Sequence, residues 1–159
     1  MEKITSLAKK LANDLAKQPG LAHLTLQQGE MFGWDHTACA ISYQPNEPHA
    51  AAYLLHECGH ALLGHAAYKR DIELIAMERA AWDEALVLAP RYGITVDEEL
   101  VEDALDTYRD WLHARSLCPH CSATGVQTAA HVYSCLACHH KWQVNEARSC
   151  ALRRYSKQA

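Results

Sequence analysis

The sequence lacks any apolar run that approaches the roughly 20 residues needed to cross a membrane. We also expect no secretory signal, because residues 1–18 contain no apolar stretch and their lysines are spread at helical spacing. We find no internal repeat and no low-complexity tract. We therefore expect a soluble, cytoplasmic protein, and the apolar fraction of 49% is enough for a hydrophobic core.

Acidic residues are nearly missing from the C-terminal part of the chain. Residues 114–159 carry a net charge of +5, whereas residues 71–113 carry −9 and residues 1–70 are balanced. The overall net charge of −4 therefore hides an acidic middle and a basic end. The acidic middle suits a basic protein partner, although an acidic face is also the commonest way to stay soluble.

Hydrophobic periodicity predicts several helices and two strands. Ile4, Leu7, Leu11 and Leu15 recur at helical spacing, so residues 2–18 are predicted to form an amphipathic helix. Two strands are predicted, at 21–29 and 36–43. A second helix is predicted from Asn46 or Glu47 to Gly64, with Pro48 in its first turn, and a third from 71 to 89. A fourth helix is predicted to begin after an N-cap at Thr95, with Glu98 three residues on as in a capping box.

The segment LLHECGHALLGH at 54–65 contains the HExxH pattern of zinc hydrolases. Residues four apart share a helix face, so His56 and His60 can present two imidazole nitrogens to one cation. Glu57 lies beside the first histidine, where its carboxylate can act as general base toward an attacking water. The alternative is an amphipathic helix with surface histidines. The apolar flanks favour a buried helix, whose polar groups need partners.

A catalytic zinc needs a third protein ligand and one open position. His65 comes one residue too early for the pattern in which a third histidine follows the motif, so it is a better candidate for supporting a ligand or capping the helix. The next predicted helix offers Glu73, Glu78 and Glu84. We favour Glu78, with Glu84 second; the alternative is that Glu78 is a solvated acid. The predicted face of Glu78 also carries Ala81, Trp82, Ala85 and Leu86.

The HExxH helix followed by the stretch ERAAWDEA resembles the ImmA/IrrE-type zinc metallopeptidases, especially those encoded with bacterial CBASS anti-phage operons. The resemblance implies an endopeptidase that cleaves a helix-turn-helix transcriptional repressor encoded nearby, which derepresses a defence operon after DNA damage. It covers nearly the whole chain, but its specific motifs are short. Ala80 stands where relatives often have a second glutamate, so the resemblance also points to Glu78 as the metal ligand.

Four cysteines form two CxxC pairs after a change in composition near Leu117. Cys118, Cys121, Cys135 and Cys138 have the spacing of a zinc ribbon, in which four thiolates saturate a structural ion; a redox CxxC is the alternative. We expect two zinc ions per chain, one catalytic and one structural. The predicted class is α+β: a mainly helical HExxH zincin-like domain with a small antiparallel sheet at 1–114, a zinc ribbon at 115–145 and a basic tail at 146–159.

Basic and aromatic residues accompany the ribbon, a combination that suits single-stranded nucleic acid. The aromatic residues are Tyr133, Trp142 and Tyr155. The alternative is a solvated basic tail with one or two core aromatics. The candidate nucleic-acid contacts are Lys141, Trp142, Arg148, Arg153 and Arg154, with Lys157 beyond them.

Three cysteines lie outside the ribbon: Cys39, Cys58 and Cys150. Cys58 is predicted to be a core residue. Cys39 falls in the strand before the HExxH helix, so one hypothesis is that its thiolate blocks the open zinc position; a small buried side chain is the alternative. Candidates for stabilising an oxyanion are Tyr53, Tyr68, Tyr92 and His65.

Two other functions remain open from the sequence. The chain could be a non-catalytic zinc-ribbon protein that binds nucleic acid or protein, although the intact Glu57 argues against this. It could also be a zinc-dependent hydrolase of a small molecule. The acidic segment 71–113 weakly favours a protein substrate.

Overall fold

The computed structural model describes residues 2–146 and 152–156. Within these residues the chain is a mixed α+β protein, and no helix of the described part is both long and apolar enough to cross a bilayer. The elements are α1 (Glu2–Leu15), β1 (Thr25–Gln28), β2 (Gly33–Asp35), β3 (Ala40–Tyr43), α2 (Ala50–Leu62), α3 (Asp71–Leu88), a 3₁₀ helix (Ala89–Tyr92), α4 (Glu98–Ser116), β4 (Val126–Ala129), β5 (Val132–Ser134), β6 (Lys141–Val144) and β7 (Arg154–Ser156).

Contacts divide the chain into two compact units. The first comprises Met1–Ala67 and Ala76–Val101, and the second comprises Tyr68–Ile75 and Glu102–Ala159. This division does not coincide with the boundary predicted between residues 114 and 115. The start of α3 and most of α4 belong to the second unit, where Asp71 of α3 and Arg115 of α4 form a buried ion pair.

The first unit contains a three-stranded sheet in the order β1-β3-β2. The strand β2 was not predicted, and its antiparallel pairing with β3 places Trp34 opposite Ile41. The strand β1 runs parallel to β3 instead of antiparallel, because the chain reverses once before β2 and again after it. Leu11, Ile41, Leu54 and Leu55 are fully buried in the core of this unit.

Two predicted helix starts differ from the observed ones. Helix α2 begins at Ala50 and not at Asn46 or Glu47, because His49 adopts a left-handed φ of 66° and breaks the helical backbone before it. Pro48 therefore lies outside the helix. Helix α4 is capped by Asp97 and not by Thr95: the Glu99 N–H donates to Asp97 Oδ1 at 3.0 Å, which satisfies one of the free amides of the first turn.

The second unit contains an antiparallel four-stranded sheet in the order β4-β5-β6-β7. Strands β4 and β5 form an antiparallel hairpin, and β6 pairs with β5 on its other edge. Strand β7 lies in the segment predicted to be a tail, where it pairs with β6. The core of this sheet consists of Cys118, Tyr133, Cys135, Trp142 and Val144.

A buried polar cluster joins the helices of this unit to the sheet. The Arg115 side chain is fully buried, and its Nε donates to Asp71 Oδ2 at 2.8 Å. The Tyr133 hydroxyl donates to the same carboxylate oxygen, and Arg115 Nη1 donates to the carbonyl oxygens of Asn145 and Glu146. The charge of Arg115 is therefore both paired and hydrogen-bonded, as burial requires.

Candidate metal centres

His56, His60 and Glu78 converge in the first unit. The three side chains are buried, and their potential ligand atoms lie within 4.8 Å of one another. His56 Nε2 is 3.1 Å from His60 Nε2 and 3.0 Å from Glu78 Oε2, and His60 Nε2 is 3.5 Å from Glu78 Oε1. Three ligand atoms of the types that bind divalent metals therefore face one point.

The separations fit a metal ion. Ligands at bond lengths of 2.0–2.1 Å and tetrahedral angles stand about 3.3 Å apart. The observed distances of 3.0, 3.1 and 3.5 Å bracket that value. Three protein ligands leave one tetrahedral position for a substrate or water. The three residues could therefore hold a divalent ion in an open site.

The packing of α2 on α3 brings the three side chains together. One helical turn separates His56 from His60 on α2, as HExxH predicts. Gly59 lies between them, and a Cβ built there would stand 2.3 Å from the backbone oxygen of Ala81 on α3. Only glycine permits this approach. Trp82 stacks on the His56 ring with a centroid distance of 4.3 Å, so it fixes that ring by contact.

The charges of the site are coupled. Burial raises the pKa of Glu78, but hydrogen bonds from His56 and His60 outweigh it and lower that pKa to about 2. Burial lowers the pKa of His56, against the opposing effect of Glu78. The arrangement therefore favours an ionised Glu78 carboxylate facing a neutral His56 imidazole, which are the protonation states that metal ligation requires of these two groups.

His65 adjoins this group without joining it. Its Nδ1 lies 2.8 Å from His60 Nδ1, on the side of the ring opposite Nε2. Its backbone N–H donates to the His60 carbonyl at 3.0 Å. The prediction that His65 supports a ligand or caps the helix matches both contacts.

The other glutamates take separate places. Glu57 follows His56 on α2 and is half-buried. Glu73 lies in the second unit, where its carboxylate accepts the backbone N–H groups of Lys69 and Arg70. Glu84 is half-buried and is not among the grouped ligands of the described residues. Of the three glutamates considered for the third ligand, the structure brings Glu78 to the histidines.

Cys39 does not lie among the grouped ligands. It occupies a turn just before β3, not a strand, with a φ of 49°. Its Sγ lies 4.0 Å from the carbonyl oxygen of Gly20. The thiol is therefore directed to the loop after α1, contrary to the hypothesis of a blocking ligand. Cys58 is fully buried, as predicted, and burial raises the pKa of its thiol.

The candidates for an oxyanion stabiliser are also separated. The Tyr92 hydroxyl donates to Asp14 Oδ2 at 3.0 Å, and Tyr68 belongs to the second unit. Tyr53 packs between Phe32 and Trp82, with centroid distances of 5.4 and 5.9 Å. Because Trp82 also stacks on His56, Tyr53 is the tyrosine that this geometry links to the histidines.

The second group consists of Cys118, Cys121, Cys135 and Cys138. Their sulfur atoms lie within 4.8 Å of one another, with Sγ–Sγ distances of 3.7 Å between Cys118 and Cys138 and 3.5 Å between Cys121 and Cys135. Thiolates at 2.3 Å from one tetrahedral ion stand about 3.8 Å apart. The four sulfurs therefore fit a single ion with no open position.

The two CxxC turns have matching backbones. Each second cysteine is followed by a residue in the left-handed region, Ser122 with a φ of 63° and His139 with a φ of 60°. Backbone N–H groups donate hydrogen bonds to the sulfurs. The hydrogen bond from the Cys138 amide is the main cause that lowers the pKa of Cys135 to about 7. Backbone amides also act to lower the pKa of Cys121 and Cys138, but burial and the neighbouring thiols raise it overall, so the thiolate, the ligand form, is favoured at Cys135.

The structure changes the set of nucleic-acid candidates. Trp142 is fully buried and its Nε1 donates to the Arg115 carbonyl, so it cannot stack on a base. Arg154 donates to the carbonyl of Leu117 at 2.9 Å. Lys141 and Arg153 are exposed, and Arg148 and Lys157 lie outside the described residues, as does Cys150. Tyr155, 53% exposed, is the aromatic residue that the surface offers.

Several features of the site were not predicted from the sequence. Trp82 was placed on the correct face, but its stacking on His56 was not predicted. Its position four residues after Glu78 is the signal that could have suggested it. A glycine inside a predicted helix likewise indicates a close approach of another backbone, as at Gly59. The bond from Trp34 Nε1 to the His65 carbonyl, at 2.9 Å, has no signal in the sequence.

Comparisons with protein families, curated proteins and solved structures found no match to this chain.

Proposed function

We propose that the protein is a zinc-dependent endopeptidase. The observation that carries this proposal is the convergence of His56 Nε2, His60 Nε2 and the Glu78 carboxylate, with Glu57 next to the first ligand. A zinc ion bound there would polarise the scissile carbonyl and acidify an attacking water. Cys118, Cys121, Cys135 and Cys138 would hold a second, structural zinc.

The chain's own residues perform the remaining steps. His56 and His60 would hold the metal through their Nε2 atoms, and Glu78 would supply the anionic ligand. Glu57 accepts a proton from the attacking water and returns it to the leaving amine. Trp82 shields one face of His56 and keeps its ring in place. Glu57 is therefore the residue whose loss stops chemistry without removing a metal ligand.

The substrate we propose is a helix-turn-helix repressor encoded nearby, whose cleavage would derepress an anti-phage operon after DNA damage. This part rests on the resemblance of LLHECGHALLGH and ERAAWDEA to ImmA/IrrE-type peptidases. The exposed acids of α4, which include Glu98, Glu99 and Asp103, offer a surface for a basic protein partner. Charge complementarity of this kind steers a partner toward its docking surface.

The test is co-expression with the adjacent-operon repressor, with and without DNA damage, followed by mass spectrometry of repressor fragments. We expect fragments with the wild-type protein, and with Glu57→Gln a rate lower by about 10²–10⁴-fold. The exposed Glu30→Gln is the matched control and should cleave normally. Equal cleavage by wild-type and Glu57→Gln proteins, or an intact repressor under both conditions, would contradict the proposal.

We also propose that the ribbon binds single-stranded nucleic acid. On β6 and β7, Lys141, Gln143 and the cross-strand partner Tyr155 occupy the face opposite Trp142, and all three are exposed. A base can stack on Tyr155 while Lys141 and Arg153 meet phosphates. Anisotropy of a labelled oligonucleotide should show salt-dependent binding that Tyr155→Ala weakens. The absence of binding at micromolar protein would refute it.

A further inference from the structure

The His65 side chain contacts the edge of His60 that points away from the metal ligands. The two Nδ1 atoms are 2.8 Å apart, and the ring planes cross at 65° with centroids 5.0 Å apart. On its other edge, His60 directs Nε2 toward His56 Nε2 and Glu78 Oε1. Each nitrogen of the His60 ring therefore has its own partner.

The end of α2 creates this contact. The helix ends at Leu62, and Gly64 follows with a left-handed φ of 65°, which turns the chain back. The His65 N–H then donates to the His60 carbonyl at 3.0 Å, and the His65 carbonyl accepts Trp34 Nε1 at 2.9 Å. The backbone of His65 is thus held on both sides of its Cα, which keeps the start of its side chain next to His60, and the ring itself contacts His60 through Nδ1.

The positions of the protons follow from this geometry. An imidazole that ligates through Nε2 carries its proton on Nδ1. His60 must therefore donate, and His65 Nδ1 must accept, which puts the His65 proton on Nε2. His56 differs, because its Nδ1 is buried without a hydrogen-bond partner in the described part of the chain, and its ring is held by Trp82 instead.

We propose that His65 is a positioning residue: by accepting a hydrogen bond from His60 Nδ1, it holds His60 in the tautomer and orientation that bind metal through Nε2. The inference rests on the proposed function, because it assumes that His60 is a metal ligand. His65 does not touch the ligand atoms and acts through His60. Loss of such a partner typically weakens metal affinity by 10–100-fold.

The test measures cobalt(II) affinity of the full chain by competition with a chromophoric chelator. The cysteine site gives intense thiolate charge-transfer bands that separate it from a site with nitrogen and oxygen ligands. His65→Leu removes the acceptor, whereas His65→Asn keeps an oxygen close to the position of Nδ1. The exposed His23→Ala is the matched control for loss of one histidine.

We expect His65→Leu to weaken cobalt binding at the His56–His60–Glu78 site by about 10–100-fold. His65→Asn and His23→Ala should bind nearly as tightly as the wild type, and the cysteine site should be unchanged in all three. Thermal unfolding without added metal checks the fold, and His65→Met replaces His65→Leu if the latter does not fold.

Two results would overturn the inference: wild-type affinity in His65→Leu, or equal weakening in His65→Leu and His65→Asn. In either case the endopeptidase proposal would still stand, because cobalt would occupy the site. A wild-type protein that binds cobalt at the cysteines alone would instead overturn both proposals. Tight binding at the histidines without repressor cleavage would contradict the proposed substrate and still support the role of His65.

Discussion

The contact between Gly59 and α3 makes a specific prediction for Gly59→Ala. The added methyl would stand 2.3 Å from the Ala81 backbone oxygen, 3.0 Å from its carbonyl carbon and 3.1 Å from its Cα. No rotamer change can relieve the clash, because all three atoms are backbone. To reach an ordinary contact the two helices must separate by roughly 1 Å at this level. Such a shift exceeds the ±0.2 Å that metal–ligand distances tolerate.

The cost can be worked out from two opposing effects. Overpacking of a core typically costs 1–3 kcal/mol, and a clash with backbone belongs at the upper end, about 3 kcal/mol. Alanine is favoured over glycine inside a helix by about 1 kcal/mol. We therefore expect a net loss of about 2 kcal/mol in the free energy of unfolding, together with loss of metal from the His56–His60–Glu78 site.

The assay is urea unfolding of the metal-free protein, combined with cobalt titration of the same preparations. Gly33→Ala is the matched control, because its added Cβ would make only an ordinary contact of 3.5 Å with Ser42. A Gly59→Ala protein that is about 1 kcal/mol more stable than the wild type would show that helix propensity alone acts there. That result, with undiminished metal binding, would refute the close approach of α2 and α3.

Three further predictions concern other parts of the molecule. Asp71→Asn leaves the buried Arg115 charge without its carboxylate, so we expect a loss of about 3–5 kcal/mol in urea unfolding, and none for the exposed Asp110→Asn. Cys135→Ser should remove one metal per chain, and a strong chelator should remove both. Either treatment should unfold the ribbon, because metal binding supplies much of the folding energy of such a module. The unfolding would be seen in hydrogen exchange as a loss of protection of the β4–β6 amides, and unchanged protection would contradict this prediction. The hydrogen bond from Tyr92 lowers the pKa of Asp14 below its usual value, so the stabilising effect of this bond is present above about pH 4 and disappears as the pH falls through the lowered pKa. Tyr92→Phe should therefore differ from the wild type in free energy of unfolding at neutral pH but not at the acidic end of the range. A difference that stays constant with pH would exclude this linkage.

Local sequence patterns were enough to predict much of the candidate site. The four-residue spacing of His56 and His60 places two nitrogens on one helix face, and this depends only on helical geometry. Glu78 was preferred because the apolar residues around it indicated an inward face. Ala81, Trp82 and Ala85 are indeed buried, whereas Leu86 is 37% exposed. The cysteine spacing likewise predicted four converging sulfurs. Each of these predictions depended only on the spacing of residues within one short segment of the sequence.

Features that depend on distant residues could not be predicted in this way. Strand β7 forms only because β6 offers an edge, and Trp142 is buried only because the ribbon folds over it. The same holds for Arg115, which would be expected at the surface but finds Asp71 forty-four residues away in sequence. Cys39 lies in a turn because β2 and β3 form a hairpin that the sequence did not reveal.

The proposed function requires one metal ion between His56, His60 and Glu78. The most direct measurement is an anomalous difference map from crystals of protein never exposed to chelator, with data collected on both sides of the zinc absorption edge. We expect a zinc peak 2.0–2.2 Å from both Nε2 atoms and a Glu78 carboxylate oxygen, and a second peak among the four cysteine sulfurs. A zinc peak at the cysteines alone, with His56, His60 and Glu78 hydrogen-bonded directly to one another, would contradict the proposed metal site.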